Sequence, residues 1–143
     1  MTDEASRRGR SSRRKGAQGE RELASLLSDE LGIPIRRMLG QERDGGADLH
    51  IGPLRIQVKR CQAVQMAAWW RQTLDDAGDW VPVLAYRASR RPWTFRLLLG
   101  DVIGDEDCIN NALWVEMSVH SFAYLVRENV GLKPVIQTTE VVP

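Results

Sequence analysis

Cysteine is nearly absent from this chain: among 143 residues only Cys61 and Cys108 occur. Two thiols make no zinc site by themselves, and one bridge would be a poor framework for a chain this long, so reduced thiols in a cytoplasmic protein are expected. Histidine is as scarce. His50 and His120 are isolated, and neither sits in an HExxH-type spacing, so both read as structural or surface residues. No apolar run approaches the roughly 20 residues of a membrane helix. The N-terminal stretch is polar and basic without an apolar segment, so no signal peptide is expected either. An excess of one charge is also lacking: 20 Lys and Arg against 19 Asp and Glu leave a net charge of +1. Any electrostatic attraction must therefore come from where the charges sit.

What the chain does have is an ordinary globular composition, 43% hydrophobic and 27% charged, which suits one soluble domain with a modest core. Its charge is unevenly placed. The stretch "RRGRSSRRK", Arg7 to Lys15, holds six basic residues and no acid. Such a segment is expected to be a flexible arm, residues 1–14, ahead of a single domain, residues 15–143. A basic arm also pairs with phosphates and releases their counterions, which suits a protein that meets nucleic acid on one face.

From Gly16 onward the pattern is helical. Ala17, Leu23, Ala24, Leu26, Leu27 and Leu31 recur at three- and four-residue steps, and Gly32 stops the run. Residues 33–39, "IPIRRML", read as a first strand. Residues 47–51 and 54–60 read as two strands joined at Gly52-Pro53, a hairpin signal. A helix over 65–78 closes at Gly78. Strands over 81–87 and 94–100, a possible last strand over 113–117 and a helix over 119–129 complete the order. The expected fold is α/β, a central mixed sheet flanked by helices.

Chemistry concentrates in "DLHIGPLRIQVKR", residues 48–60. Alternation along the strand puts Ile56 and Val58 on one face and Gln57 and Lys59 on the other. If the hairpin closes as expected, Asp48 ends one arm while Gln57 and Lys59 project from the other. A hard divalent cation takes oxygen ligands, and Asp48 offers a carboxylate, Gln57 an amide oxygen and Val58 its backbone carbonyl. Lys59 stands beside them as a cation able to orient or deprotonate a water, or to steady charge on a phosphate. Glu20, near the buried side of the first helix, can reach the same cluster directly or through water. Spacing alone leaves a solvated strand face as the alternative, because short motifs of this kind recur by chance.

Taken in order, "RKGAQGERELASLL", "GGADLHI", "LRIQVKR", "WVPVLAYR" and "RPWTFRLLL" resemble the archaeal-type Holliday junction resolvases of the PD-(D/E)xK nuclease superfamily. Similar small resolvase-like nucleases occur in bacteriophage genomes. The resemblance runs from about Arg14 to Leu99 and rests on the ordered set rather than on any one motif, with "KGxxxERE" at the start and "IxVK" on the third expected strand. It implies a restriction-endonuclease-like fold and a magnesium-dependent hydrolase, with manganese able to substitute. The implied activity is that of a structure-specific endonuclease in DNA recombination. The implied partners are branched or double-stranded DNA and a second copy of the chain, in the cytoplasm, or the host cytoplasm for a phage protein.

Carried over residue by residue, the resemblance makes Glu20 the helix acid, Asp48 the metal-binding aspartate and Lys59 the catalytic lysine. Gln57 stands where the family usually has a second metal-binding acid. An amide oxygen still binds a cation but brings no formal charge, so weaker metal affinity is expected. Two other readings stay open: a PD-(D/E)xK nuclease with another substrate (nicking, repair or restriction-like), and a DNA-binding homologue of weak catalysis. Arg13, Arg14, Lys15, Arg36, Arg37, Arg43 and Arg60 are candidates for DNA contact, with solvated basic surface as the alternative. Gln72, on the second helix, is a candidate for a supporting role beside the site. Glu22, Glu42 and Asp44 rank below Glu20 and Asp48 as ligands. Trp69 and Trp70 are adjacent on a helix, so at least one should be partly exposed. Trp93 falls at a hairpin tip, where DNA or subunit contact is possible.

Overall fold

The structure, a computed structural model, describes residues 2–35, 37, 38, 46–61, 65–105, 107 and 113–128, with only the backbone of residues 2–15 and Cys61. Helix α1 spans Thr2–Leu31. Its Leu23, Ala24 and Leu27 are buried on one face, and it ends where Gly32 takes a φ of 69° and returns its N–H to the Ser28 carbonyl at 2.8 Å. A left-handed glycine is an inexpensive way to stop a helix. The expected boundary near Gly16 is not a helix boundary, since the basic stretch continues the α1 backbone to Thr2. That stretch has no proline and is rich in Arg, a good helix former, so a helix nucleated by the packed Leu23–Leu31 end can propagate back through it.

The described residues of the stretch over 33–39 belong to no strand. Arg37 makes one isolated bridge to Leu49, Met38 N–H donates to the Asp48 carbonyl at 2.8 Å, and residues 36 and 39 lie outside the described residues. Pro34 brings no N–H to a ladder, which works against a strand at this point.

Strands β1 (Leu49–Ile51) and β2 (Leu54–Cys61) form the expected hairpin, with Ile51 opposite Leu54. Gly52 has a φ of 51° and Pro53 follows it, matching a two-residue turn with positive φ at its first central position. Helix α2 (Met66–Ala77) carries the chain to β3 (Val81–Ala88), which pairs parallel to β2. Parallel neighbours need such a crossover. Strand β4 (Thr94–Leu98), the short helix α3 (Leu99–Ile103), strand β5 (Trp114–Ser118) and helix α4 (Val119–Glu128) follow. The α3 turn takes the end of the strand expected over 94–100, and Gly104 caps it with an N–H to the Gly100 carbonyl at 2.7 Å. The sheet is five-stranded, ordered β1-β2-β3-β4-β5, and mixed, because only β2–β3 is parallel. The chain is thus α/β, a mixed sheet flanked by helices.

The two sheet faces differ in chemistry. Ile56, Val58, Val83, Ala85, Phe95 and Leu97 point into the main core with Leu23, Leu27 and Phe122. There α1 and α4 cover the sheet, the Phe95 and Phe122 rings stack at 4.3 Å, and Arg127 ties α4 to the Glu30 carbonyl of α1 at 2.9 Å. The other face carries Gln57, Lys59, Leu84, Tyr86 and Arg96 and is covered by α2 through Trp69, Thr73 and Ala77. Among the described residues no helix is long and apolar enough to cross a membrane.

Candidate functional site

The polar face of β2 opens into a cavity of about 420 Å³ beside the C-terminal ends of the parallel strands. Open α/β sheets bind ligands at strand ends of this kind. Glu20, Asp48, Gln57, Val58 and Lys59 all line it, as do Arg60 and Gln72. These residues come from α1, the β1–β2 hairpin and α2, so the fold gathers a set that is scattered along the chain.

Asp48 precedes β1, and its Oδ2 accepts the Val58 N–H at 2.8 Å. This bond crosses the hairpin and sets the carboxylate against the backbone of β2. Within a strand the N–H and C=O of one residue point to the same edge, so the Val58 carbonyl faces the Asp48 side rather than β3. Asp48 N–H itself donates to the Ile56 carbonyl at 2.9 Å. The aspartate is therefore fixed at both main chain and side chain, and it is only 7% exposed.

Glu20 is equally buried, at 7% exposure. It reaches the cavity because α1 lies close to β2: a Cβ on Gly19 would stand 3.1 Å from the Arg60 Cβ. Its Oε2 accepts from Arg37 Nε at 2.9 Å. Arg37, a candidate for DNA contact, thus supplies a counter-charge to the helix acid.

Gln57 is 2% exposed, and its Nε2 donates to the Gly46 carbonyl at 2.7 Å and to Asp76 Oδ2 at 2.8 Å. Lys59 is half-buried at the cavity wall, on the same strand face two residues on. Arg60 turns to the opposite face, as the two-residue period of the strand requires, and pairs with Glu22 at 3.6 Å. Glu22 is a structural hub rather than a cavity acid, accepting also from Arg87 and from the Trp93 indole at 3.2 Å. Trp93 is consequently buried instead of standing free at the hairpin tip. Trp69 is buried and Trp70 half-buried, as adjacent helical positions require.

Backbone is described for Arg13, Arg14 and Lys15, which lie in α1, but their side chains are not. Arg36, Glu42, Arg43 and Asp44 lie outside the described residues, as does Cys108. Among the described residues, no three of the His, Cys, Asp and Glu side chains group as a metal site.

Asp76 and Gly46 are the partners that sequence reasoning missed. Asp76 follows Gln72 by four residues and so shares its helix face, a signal that was present once Gln72 had been singled out. A second polar cluster lies further along the same sheet face. There Arg96 Nε and the Tyr86 hydroxyl both bond Glu116 Oε2, at 3.0 and 2.7 Å, and the Arg96 guanidinium lies 3.6 Å from the Trp114 ring centroid. Burial, then the bond to Glu116, pushes the Tyr86 phenol above its ordinary pKa.

Compared with known proteins, the chain matches no family model, no curated protein and no solved structure.

Proposed function

We propose that the protein is a divalent-metal-dependent DNA endonuclease of the Holliday junction resolvase type, on a restriction-endonuclease-like version of its α/β fold. The observation that carries this reading is the convergence of Glu20, Asp48, Gln57, the Val58 backbone and Lys59 on one cavity. That is the set expected from the ordered motifs. The donors are all oxygens apart from Lys59, which is the chemistry a hard cation requires. Asp48, Gln57 Oε1 and the Val58 carbonyl would hold Mg²⁺ or Mn²⁺, with Glu20 beside them. When bound, such an ion lowers the pKa of a water and neutralises charge on the phosphate.

The protein's own groups do the rest. Lys59 lines the same cavity, and its ammonium would orient the attacking water or offset charge on the phosphate. Water oxygen attacks phosphorus in line, the P–O3′ bond breaks, and a 5′-phosphate and a 3′-hydroxyl remain. Lys59, Arg60, Arg87, Arg90 and Arg91 lie at one end of the β2–β3 pair and the hairpin that follows it. Glu22 offsets part of that charge. A basic rim beside an acidic cavity suits backbone recognition of DNA, where charge and branch shape count more than sequence. A four-way junction has two-fold symmetry, so an isologous homodimer with two such sites matches it.

The direct test is cleavage of a synthetic four-way junction, a flap and a linear duplex, with and without Mg²⁺, beside a Lys59→Ala variant. Metal-dependent cutting of the junction in preference to the others, lost in the variant, is the expected result. Equal cutting of all three would point to a nuclease of another substrate class. The amide at position 57 favours one further reading, a junction-binding homologue without catalysis. That reading wins if the protein binds junctions tightly and cuts none with either metal.

A further inference from the structure

Gln57 is held by its nitrogen. Both partners of Nε2, the Gly46 carbonyl at 2.7 Å and Asp76 Oδ2 at 2.8 Å, are acceptors. The carboxamide therefore has one allowed orientation, because turning it over would set Oε1 against two other acceptors. At 2% exposure Gln57 cannot exchange either bond freely for water. With Nε2 committed, Oε1 lies on the other side of the carboxamide, away from Asp76 and Gly46.

The chain makes room for this arrangement. Gly46 has a φ of 95°, and a Cβ there would stand 2.6 Å from Asp76 Oδ2. Only glycine lets residue 46 bring its carbonyl to the amide while the Asp76 carboxylate reaches the same nitrogen. Asp76 itself sits in the last turn of α2, one residue before the buried Ala77 and three after the buried Thr73. Its position is set by helix packing and not by the cavity.

We propose that Asp76 is a positioning residue that turns the Gln57 oxygen toward the donor set of Asp48 and Val58, and that its presence is why position 57 carries an amide instead of an acid. A glutamate at 57 would place a carboxylate oxygen where Nε2 now lies, within hydrogen-bond distance of a second carboxylate and of a carbonyl. The negative charge that the strand position lacks is thus carried one hydrogen bond behind the cavity, on α2. The cation-directed half of this inference rests on the nuclease reading; the pairing of Asp76 with Gln57 does not.

The test compares four full-length proteins: wild type, Asp76→Asn, Gln57→Glu, and Gln57→Glu with Asp76→Asn. Thermal melting in EDTA and Mn²⁺ binding by calorimetry are the readouts. Gln57→Glu should melt well below wild type, and adding Asp76→Asn should restore most of the loss, because the introduced side-chain amide on α2 can donate to the new carboxylate. Asp76→Asn alone removes one of the two obligatory acceptors that hold Gln57 Nε2, leaving the Gly46 carbonyl, and should weaken Mn²⁺ binding by about tenfold, the lower end of what partners behind a metal ligand contribute. The double variant should bind Mn²⁺ at least as tightly as wild type. Additive melting effects, with no rescue in the double variant, would overturn the positioning role. Absence of Mn²⁺ binding by wild type, with the melting rescue intact, would overturn the cation site and leave the Asp76–Gln57 pairing standing.

Discussion

Replacing Asp48 by asparagine and, separately, by alanine separates two jobs held by one carboxylate. Oδ2 accepts the Val58 N–H at 2.8 Å, and both residues are buried, at 7% and 6% exposure. Asparagine keeps an acceptor oxygen and loses only the charge assistance, which costs about 0.5–1 kcal/mol. Alanine leaves the Val58 N–H buried without that acceptor, at about 1–3 kcal/mol. For a domain of this size each kcal/mol moves the midpoint by roughly 3–4 °C. Melting in EDTA should thus fall by roughly 3–12 °C for alanine and by at most about 4 °C for asparagine. Both variants should lose metal-dependent cleavage of a four-way junction, since neither offers a carboxylate to a cation. If alanine melts with wild type, the Asp48–Val58 bond does not hold the hairpin in place. If asparagine cuts at the wild-type rate, Asp48 takes no part in the chemistry.

Phe122→Ala removes one ring of the 4.3 Å Phe95–Phe122 stack at full burial and should cost about 3–5 kcal/mol in urea denaturation; a loss under about 1 kcal/mol would show that α4 does not anchor on the sheet. Asp101 has its carboxyl pushed up from 3.8 to about 6 by burial, and its Oδ2 has no hydrogen-bond partner among the described residues. The fold therefore keeps a proton that the unfolded chain has already released between those values, so this group's contribution to stability falls as pH rises through that window. Solvent screening limits the effect to about 1 kcal/mol. Asp101→Asn should flatten the stability–pH curve there, and an unchanged slope in denaturation at pH 4, 5, 6 and 7 would refute the assignment. Arg90→Ala with Arg91→Ala should weaken binding of DNA duplexes of different sequence alike and lower the salt slope of log K by up to about 2; an unchanged slope would place the DNA elsewhere.

Local pattern was enough for the elements whose side chains face a single core. The 3.6-residue recurrence of Leu23, Ala24 and Leu27, the alternation through β2 and the Gly52-Pro53 turn are short-range signals, and the structure carries each of them. Where expectation and structure part, a local signal met a non-local constraint. Residues 33–39 had strand-like composition, but Pro34 contributes no N–H and, among the described residues, Arg37 makes a single isolated bridge. The helical pattern was expected to begin near Gly16, yet the α1 backbone runs back to Thr2 from a far end that is packed. Trp93 stood beside two arginines in sequence, yet its indole is buried against Glu22.

The sequence by itself determined that Asp48, Gln57 and Lys59 would meet. A two-residue hairpin turn sets the register of its strands, and a period of two puts alternate side chains on one face. Tertiary structure alone decided what surrounds them. The parallel pairing of β2 with β3 through α2 brings Asp76 behind Gln57, a separation of 19 residues, and the close approach of α1 at Gly19 delivers Glu20 with Arg37 as its counter-ion. Those contacts depend on how helices pack on the sheet, which no local period encodes. They decide which way the Gln57 amide faces and how much negative charge the cavity presents.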